Sequence, residues 1–272
     1  MTDSPGLASK VADTVSAVDI LAIGAHPDDI ELAMAGTLLK LAAGGYRVGL
    51  VDASRAELAT RGTPQQRAAE AAAAATQLDV VFRVNLGWPD GHFSHDDQAR
   101  RALVRVIRQA RPTLVFTHHP AEEHPDHQCL AHLVAAAVHH ARLANYDAES
   151  GLSRWQARAL IHFLPPLNPA IVPSFLVDIS AQFAAKYDVI GAYASQLHQP
   201  GRPGPQTYLS TADFLRQRRA ADIYRGSLIG VSAAEGFVTT TPLPVADPVR
   251  LFADDGGPFD ALAGHPRADR PA

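Results

Sequence analysis

Between Val18 and Leu143 the chain alternates β-prone apolar runs with helix-period patterns four times. This alternation constrains the fold more than any other feature. Val18 to Gly24 is strand-like, and Ile30 to Ala43 follows with helical spacing, stopped by Gly44-Gly45. Tyr46 to Asp52 reads as a second strand. Pro64 then opens an Ala-rich helix to Leu78, with Pro in a favoured first-turn position. Val80 to Leu86 is a third strand, ended by the turn residues Gly87-Trp88-Pro89-Asp90-Gly91. Asp96 to Ala110 has an apolar side built from Leu103, Val104 and Ile107. Thr113 to Thr117 is the fourth strand, and a helix from Asp126 to Leu143 completes the last unit. Repeated β-α units predict an α/β fold: a Rossmann-like, mostly parallel sheet with helices on both faces.

The rest of the chain is less regular. Ala159 to Leu164, Phe175 to Ile179 and Gly236 to Thr240 read as strands, and Ser180 to Gln196 and Thr211 to Tyr224 as helices. Gln199 to Pro205 reads as a mobile loop beside the site. One domain is expected over residues 18–246. Residues 1–17 are expected to form a flexible extension and 247–272 a peripheral tail. The 272 residues, 47% hydrophobic, suit one core of useful size. A formal net charge of -4 implies no nucleic-acid surface. The single cysteine, Cys129, excludes an intrachain disulfide and an all-cysteine zinc site. No run of about 18 apolar residues occurs, so no membrane span is expected. No secretory h-region precedes Ser16, which makes a cytoplasmic location the expectation.

Two polar clusters follow two of the strands. The first is Ala25-His26-Pro27-Asp28-Asp29-Ile30-Glu31 and the second His124-Pro125-Asp126-His127. In open α/β sheets ligands bind beyond the carboxyl ends of the strands, so both clusters belong at that edge. His26 and Asp29 have a spacing that lets both reach one metal ion. With His127 they make two imidazoles and a carboxylate, a set suited to Zn²⁺, with Fe²⁺ as the alternative. Such a metal acidifies a water. Asp28, left free between two ligands, is the candidate base. His124, oriented by Asp126, is the candidate acid for the leaving amine. The plain alternative for one His-x-x-Asp is loop capping, and two such clusters after two strands weigh against it. Glu31 reads either as a carboxylate supporting a ligand histidine or as a first-turn acid favoured by the helix dipole. His118 and His119 line the mouth or lie exposed on their loop. Arg55, Glu57 and Arg61, on a post-strand loop at the same edge, are candidate substrate-binding residues, with solvated loop charges as the alternative.

These motifs, with Gly36-Thr37, resemble the LmbE-like, or PIG-L, family of zinc-dependent N-acetylglucosamine deacetylases. The likeness covers residues 18 to 243. Within the family the chain looks most like the bacillithiol-biosynthesis enzymes that act on N-acetylglucosaminyl-malate. That finer likeness is carried by Arg55 to Thr63, Asn85 to Gly91, Pro173-Ser174-Phe175, Tyr193-Ala194-Ser195-Gln196 and Ala234-Glu235-Gly236-Phe237. The resemblance implies zinc on His26, Asp29 and His127, Asp28 as base, and His124 and Asp126 assisting charge and proton handling. It also implies that Tyr193 approaches the substrate carbonyl. A sugar substrate and a homo-oligomer, with a hexamer as one form, are expected. One position departs from the bacillithiol-type pattern: Glu123 stands where an arginine is usual, and an acid there is unwelcoming to a malate carboxylate. Deacetylation of a chitooligosaccharide or antibiotic precursor is the other enzymatic reading. A metal- or sugar-binding protein without catalysis is the reading from another class.

Overall fold

The computed structural model describes residues 14–165, 170–201 and 204–247. The proposed extension therefore lies outside the described residues up to residue 13, as do the tail from 248 and residues 202 and 203 of the Gln199 to Pro205 loop. Seven strands form one sheet: β1 (Ile20–Gly24), β2 (Val48–Ser54), β3 (Phe82–Trp88), β4 (Leu114–Thr117), β5 (Ala159–Phe163), β6 (Phe175–Asp178) and β7 (Ala234–Thr239). Their order is β3-β2-β1-β4-β5-β7-β6. The first five pair in parallel, and β7 pairs antiparallel with both β5 and β6. The sheet is thus mostly parallel, with an antiparallel edge.

Among the described residues six α-helices cover it: α1 (Asp29–Ala43), α2 (Pro64–Gln77), α3 (Asp97–Ala110), α4 (Pro125–Ala141), α5 (Phe183–Gly191) and α6 (Phe214–Leu228). The central strands are buried on both faces, as continuous apolar runs such as Ile-Leu-Ala-Ile require. One face packs Leu103, Val104 and Ile107 of α3 and Leu130, Leu133 and Val134 of α4. The other packs Ile30, Met34 and Leu38 of α1, Ala71 and Ala74 of α2, and Val189 of α5. The chain leaves β1 toward β2 on one side and resumes at β4 on the other. The carboxyl ends of β1 and β4 therefore flank the topological switch point, where such sheets bind ligands.

Boundaries moved for local reasons. The second strand starts at Val48 rather than Tyr46, because the Tyr46 amide still bonds the Leu41 carbonyl at 3.1 Å in the helix-stop turn. The helix expected to reach Gln196 ends at Gly191. Glu70 takes the Ser195 amide and hydroxyl, both at 2.7 Å, and draws that segment away. Helix α1 is broken at Met34 (φ -147°, ψ 19°), and Glu235 of β7 recaps it by accepting the amides of Gly36 (3.0 Å) and Thr37 (2.7 Å). Gly36 has no side chain because a Cβ there would lie 3.0 Å from Ile179 Cβ.

Glu235 is itself held by Lys186, whose Nζ lies 2.9 Å from Glu235 Oε1 and 2.6 Å from Asp222 Oδ2, all three fully buried. This cluster ties α5, α6 and β7 to the broken helix. Lys186→Met would remove the cation that two buried carboxylates share, leaving Glu235 with its two amides and Asp222 with Arg225 at 3.2 Å. Loss of stability of about 3–5 kcal/mol is expected, measured by chemical denaturation. A change below about 1 kcal/mol would mean that the cluster is a dispensable surface-like pair.

Candidate metal centre at the β1 and β4 strand ends

His26 leaves β1 and Asp29 begins α1, so one tight turn delivers both. Asp28 sits between them with φ 116°, a left-handed conformation that costs energy for a residue with a Cβ. That turn points Asp28 into the cavity while Asp29 turns toward His26. His124 is the N-cap of α4, with Pro125 at the first turn, and His127 projects one turn later.

The donor atoms converge. His26 Nδ1 lies 3.4 Å from Asp29 Oδ2 and 3.3 Å from His127 Nε2, and His127 Nε2 lies 3.4 Å from Asp29 Oδ2. A tetrahedral ion with bonds of about 2.0–2.1 Å needs ligand separations of about 3.3–3.4 Å. The residues present therefore fit a metal ion of zinc's size.

Their other ring nitrogens are already satisfied. His26 Nε2–H donates to Asp90 Oδ1 at 3.0 Å and lies 3.5 Å from Asp126 Oδ2. His127 Nδ1–H donates to Glu122 Oε2 at 2.7 Å. These partners fix the tautomers, so that Nδ1 of His26 and Nε2 of His127 turn lone pairs toward one point. Burial works against the charge on Glu122, but its hydrogen bonds to His118 and His127 hold the carboxyl down at about 2. Asp90 is aimed by the Leu58 amide at 2.9 Å, and its own amide is held by Glu57 Oε1 at 2.9 Å.

Asp28 is only 5% exposed and its Oδ2 lies 3.2 Å from Arg67 Nη2, which also donates to the Pro27 carbonyl. Burial pushes its carboxyl up to about 7, with Arg67 pulling the other way. Behind it, Glu31 receives Arg83, which forks onto Asp52 at 2.7 and 2.8 Å. Burial raises the Asp52 carboxyl and Arg83 offsets part of that.

Some expected residues sit elsewhere. Tyr193 is not beside the cavity. It is 1% exposed in the core under α1, and its hydroxyl donates to Glu31 Oε1 at 2.9 Å, so it props the turn from below and does not line the cavity. The side chains of Arg55, Glu57 and Arg61 are not on the cavity wall; Ala56, Leu58, Ala59 and Thr60 of that loop are. Arg55 lines a separate hollow beside Pro64 and Arg83, Glu57 holds the Asp90 amide, and Arg61 donates to the Ser195 and Pro205 carbonyls. Asp126 orients His124 through its backbone amide, which His124 Nδ1 accepts at 3.2 Å. Its carboxylate is spent on the Gly91 amide at 2.8 Å and on His26.

Sequence reasoning did not assign Asp90, Glu122 or Arg67. Asp90 had a signal, a turn acid after a strand at the ligand edge. Glu122 had one too, five residues before a ligand histidine. His118, open to two readings in the sequence, is buried against His127 with ring centroids 3.9 Å apart. Its Nε2 accepts the Ala25 amide at 3.1 Å, which places it behind the ligand histidines. His119 is more open, at the loop.

Residues 21–138, which include both clusters, match the family model for PIG-L, GlcNAc-PI de-N-acetylase. The chain belongs to the PIG-L, LmbE-like family. It is 34% identical to the conserved protein TT1542 of Thermus thermophilus over 85% of this chain and 98% of that one, with a TM-score of 0.75. Its α/β fold is thus shared with that protein. It is 27% identical to diacetylchitobiose deacetylase of Thermococcus kodakarensis over 80% of this chain and 81% of that one. It is 31% identical to 1D-myo-inositol 2-acetamido-2-deoxy-alpha-D-glucopyranoside deacetylase of Streptomyces scabiei over 50% of this chain and 53% of that protein, and so spans about half of its length.

In this PIG-L member the outer partners of the two candidate ligand histidines matter as well as the candidate ligands themselves. Removing such a partner typically weakens metal binding about 10–100-fold. Asp90→Asn keeps the shape but weakens the acceptor for His26. Metal affinity is expected to fall on that scale, measured by competition with a chelating dye. Unchanged affinity would leave Asp90 as a loop fastener only.

Proposed function

We propose that the protein is a metal-dependent amide hydrolase that removes acetate from an N-acetylglucosaminyl conjugate. One observation carries this reading: three donor atoms at tetrahedral spacing with a buried, unligating carboxylate beside them. His26, Asp29 and His127 would hold the ion. Two imidazoles and one carboxylate suit zinc, and iron(II) is the alternative that metal analysis would distinguish. A zinc ion there supplies a Lewis acid for the amide carbonyl and acidifies a water.

The chain's own residues do the rest. Asp28 takes a proton from the attacking water. The water oxygen adds to the amide carbon, and the C–N bond breaks. His124, at the cavity wall beside His26 and His127 with ring centroids 5.0 and 4.6 Å away, passes to the departing nitrogen the proton that Asp28 took from the water, so both side chains return to their starting states. Acetate and a free amino sugar leave. Asp90, Asp126 and Glu122 keep the two ligand rings in place.

The relatives support the sugar: two are named for removing acetyl from N-acetylglucosamine units. N-acetylglucosaminyl-L-malate, as in bacillithiol biosynthesis, is the finer expectation that the loop and turn motifs suggest. The test is acetate release from N-acetylglucosaminides by the metal-loaded protein. A protein that binds metal and sugar but releases no acetate would be a binding protein, and the hydrolase reading would fail.

A further inference from the structure

Arg218, on α6, is a buried cation without a counter-ion. It is 6% exposed and lines the cavity with Leu32 and Phe214. Arginine is almost never fully buried unless it is paired. Yet among the described residues no carboxylate pairs with Arg218, and its buried Nε has no hydrogen-bond partner. Its Nη2 donates to the Leu32 carbonyl at 2.6 Å. The break in α1 explains that bond. An unbroken helix would pair the Leu32 carbonyl with the Gly36 amide. The break at Met34 turns this amide to Glu235, and Arg218 takes the carbonyl. The carbonyl fastens the guanidinium but does not neutralise it.

The neighbouring charges do not neutralise it either. Asp222 pairs with Lys186 and Arg225, and Glu235 pairs with Lys186. Burial, and next to it Arg218, hold the Arg225 guanidinium below its usual range, so the two arginines repel each other. Four of the cavity's carboxylates, Asp28, Asp29, Asp90 and Glu122, are spent on Arg67 and the histidines of the metal centre. Glu123, the remaining acid on the wall, precedes His124 on the loop after β4, whereas Arg218 stands on α6 against α1.

The position suits a group attached to the sugar. The Leu32 amide bonds the Asp28 carbonyl at 2.9 Å, so the carbonyl that fastens Arg218 lies one helical turn, about 6 Å of rise, beyond Asp28. In an N-acetylglucosaminide the acetamido nitrogen and the aglycone oxygen sit on adjacent carbons. With the acetyl group at the metal end, a short aglycone has the reach to meet α6. Leu32, Leu209 and Phe214 form one apolar cluster there, and charge-assisted hydrogen bonds are strong in such surroundings.

We infer that Arg218 is a specificity-determining residue that receives an oxyanion, a carboxylate or a phosphate, on the aglycone of the substrate. The inference rests on the deacetylase reading for the sugar's orientation.

The test compares N-acetylglucosaminyl-malate and N-acetylglucosamine 1-phosphate with methyl N-acetylglucosaminide on the metal-loaded protein. Calorimetric binding and acetate release are both read. At least one anionic conjugate is expected to bind about 10–100-fold more tightly than the methyl glycoside, and which one does so tells carboxylate from phosphate. Arg218→Gln is expected to cut that preference by the same factor, through KM more than kcat. Should the Gln variant melt well below the wild type, Arg218→Lys keeps a cation without the planar fork and is expected to lose several-fold of the preference. Anionic conjugates bound no more tightly than the methyl glycoside overturn the assignment. So does a preference that survives both substitutions, since it would come from the metal. Equal losses for all three compounds also overturn it and leave Arg218 as a fastener of the broken helix. An Arg218-dependent preference without acetate from any compound overturns the hydrolase reading and leaves the assignment standing.

Discussion

Asp28→Asn is expected to lower kcat about 10²–10⁴-fold while bound metal stays near the wild-type level. The reason is the geometry of one turn. His26 and Asp29 face each other across 3.4 Å, but the Asp28 carboxylate is turned away onto Arg67 at 3.2 Å. Asn tolerates the left-handed backbone better than most residues, so the strained turn survives. It cannot take a proton from water. The change also leaves Arg67 without its buried partner, so some loss of stability accompanies it. A melting curve taken beside the metal content and the acetate assay separates the effects. Near-normal acetate release from a folded, metal-loaded variant would place the base elsewhere. Loss of metal together with activity would make Asp28 a ligand and undo the division of roles.

The two halves of the site were legible to different depths. That the two His/Asp clusters meet followed from local sequence, because each lies on the loop after a strand and α/β topology gathers such loops at one edge. The mostly parallel sheet needed no more than the alternation and its crossover rule, whereas the strand order and the antiparallel edge are seen only in the structure. What failed was anything decided by a distant partner. Tyr193 carries a role only through the side of α1 on which its hydroxyl ends, and that is set by Glu31, 162 residues away. Arg67 lies on an Ala-rich helix that looked like filler, yet its guanidinium crosses to the first cluster 40 residues earlier. Arg55, Glu57 and Arg61 drew notice as charges, whereas Ala56, Leu58, Ala59 and Thr60 between them line the cavity. Lys186 gave no signal, since a lysine in a helical stretch is ordinarily solvated. Its two carboxylate partners come from α6 and β7.

His127→Ala and His26→Ala are each expected to abolish stoichiometric metal binding, a larger effect than loss of any outer partner. Either leaves two of three protein donors, and the remaining donors are too few to outcompete water for a hard-to-dehydrate ion. A wild-type protein at a free metal concentration of about 1,000 Kd gains about 4.1 kcal/mol of stability, so zinc should raise its unfolding midpoint. In both variants that rise should disappear, which separates lost binding from lost chemistry without any substrate. The result that would break the assignment is specific. If His127→Ala keeps its metal, the nearest spare nitrogen is His118 Nε2, 3.2 Å from Asp29 Oδ2 and now bonded to the Ala25 amide. The double variant His118→Ala, His127→Ala then decides. Loss of metal only in the double would make the two stacked histidines interchangeable, and retention even there would point to the donor group of His26, His124 and Asp126 at the start of α4.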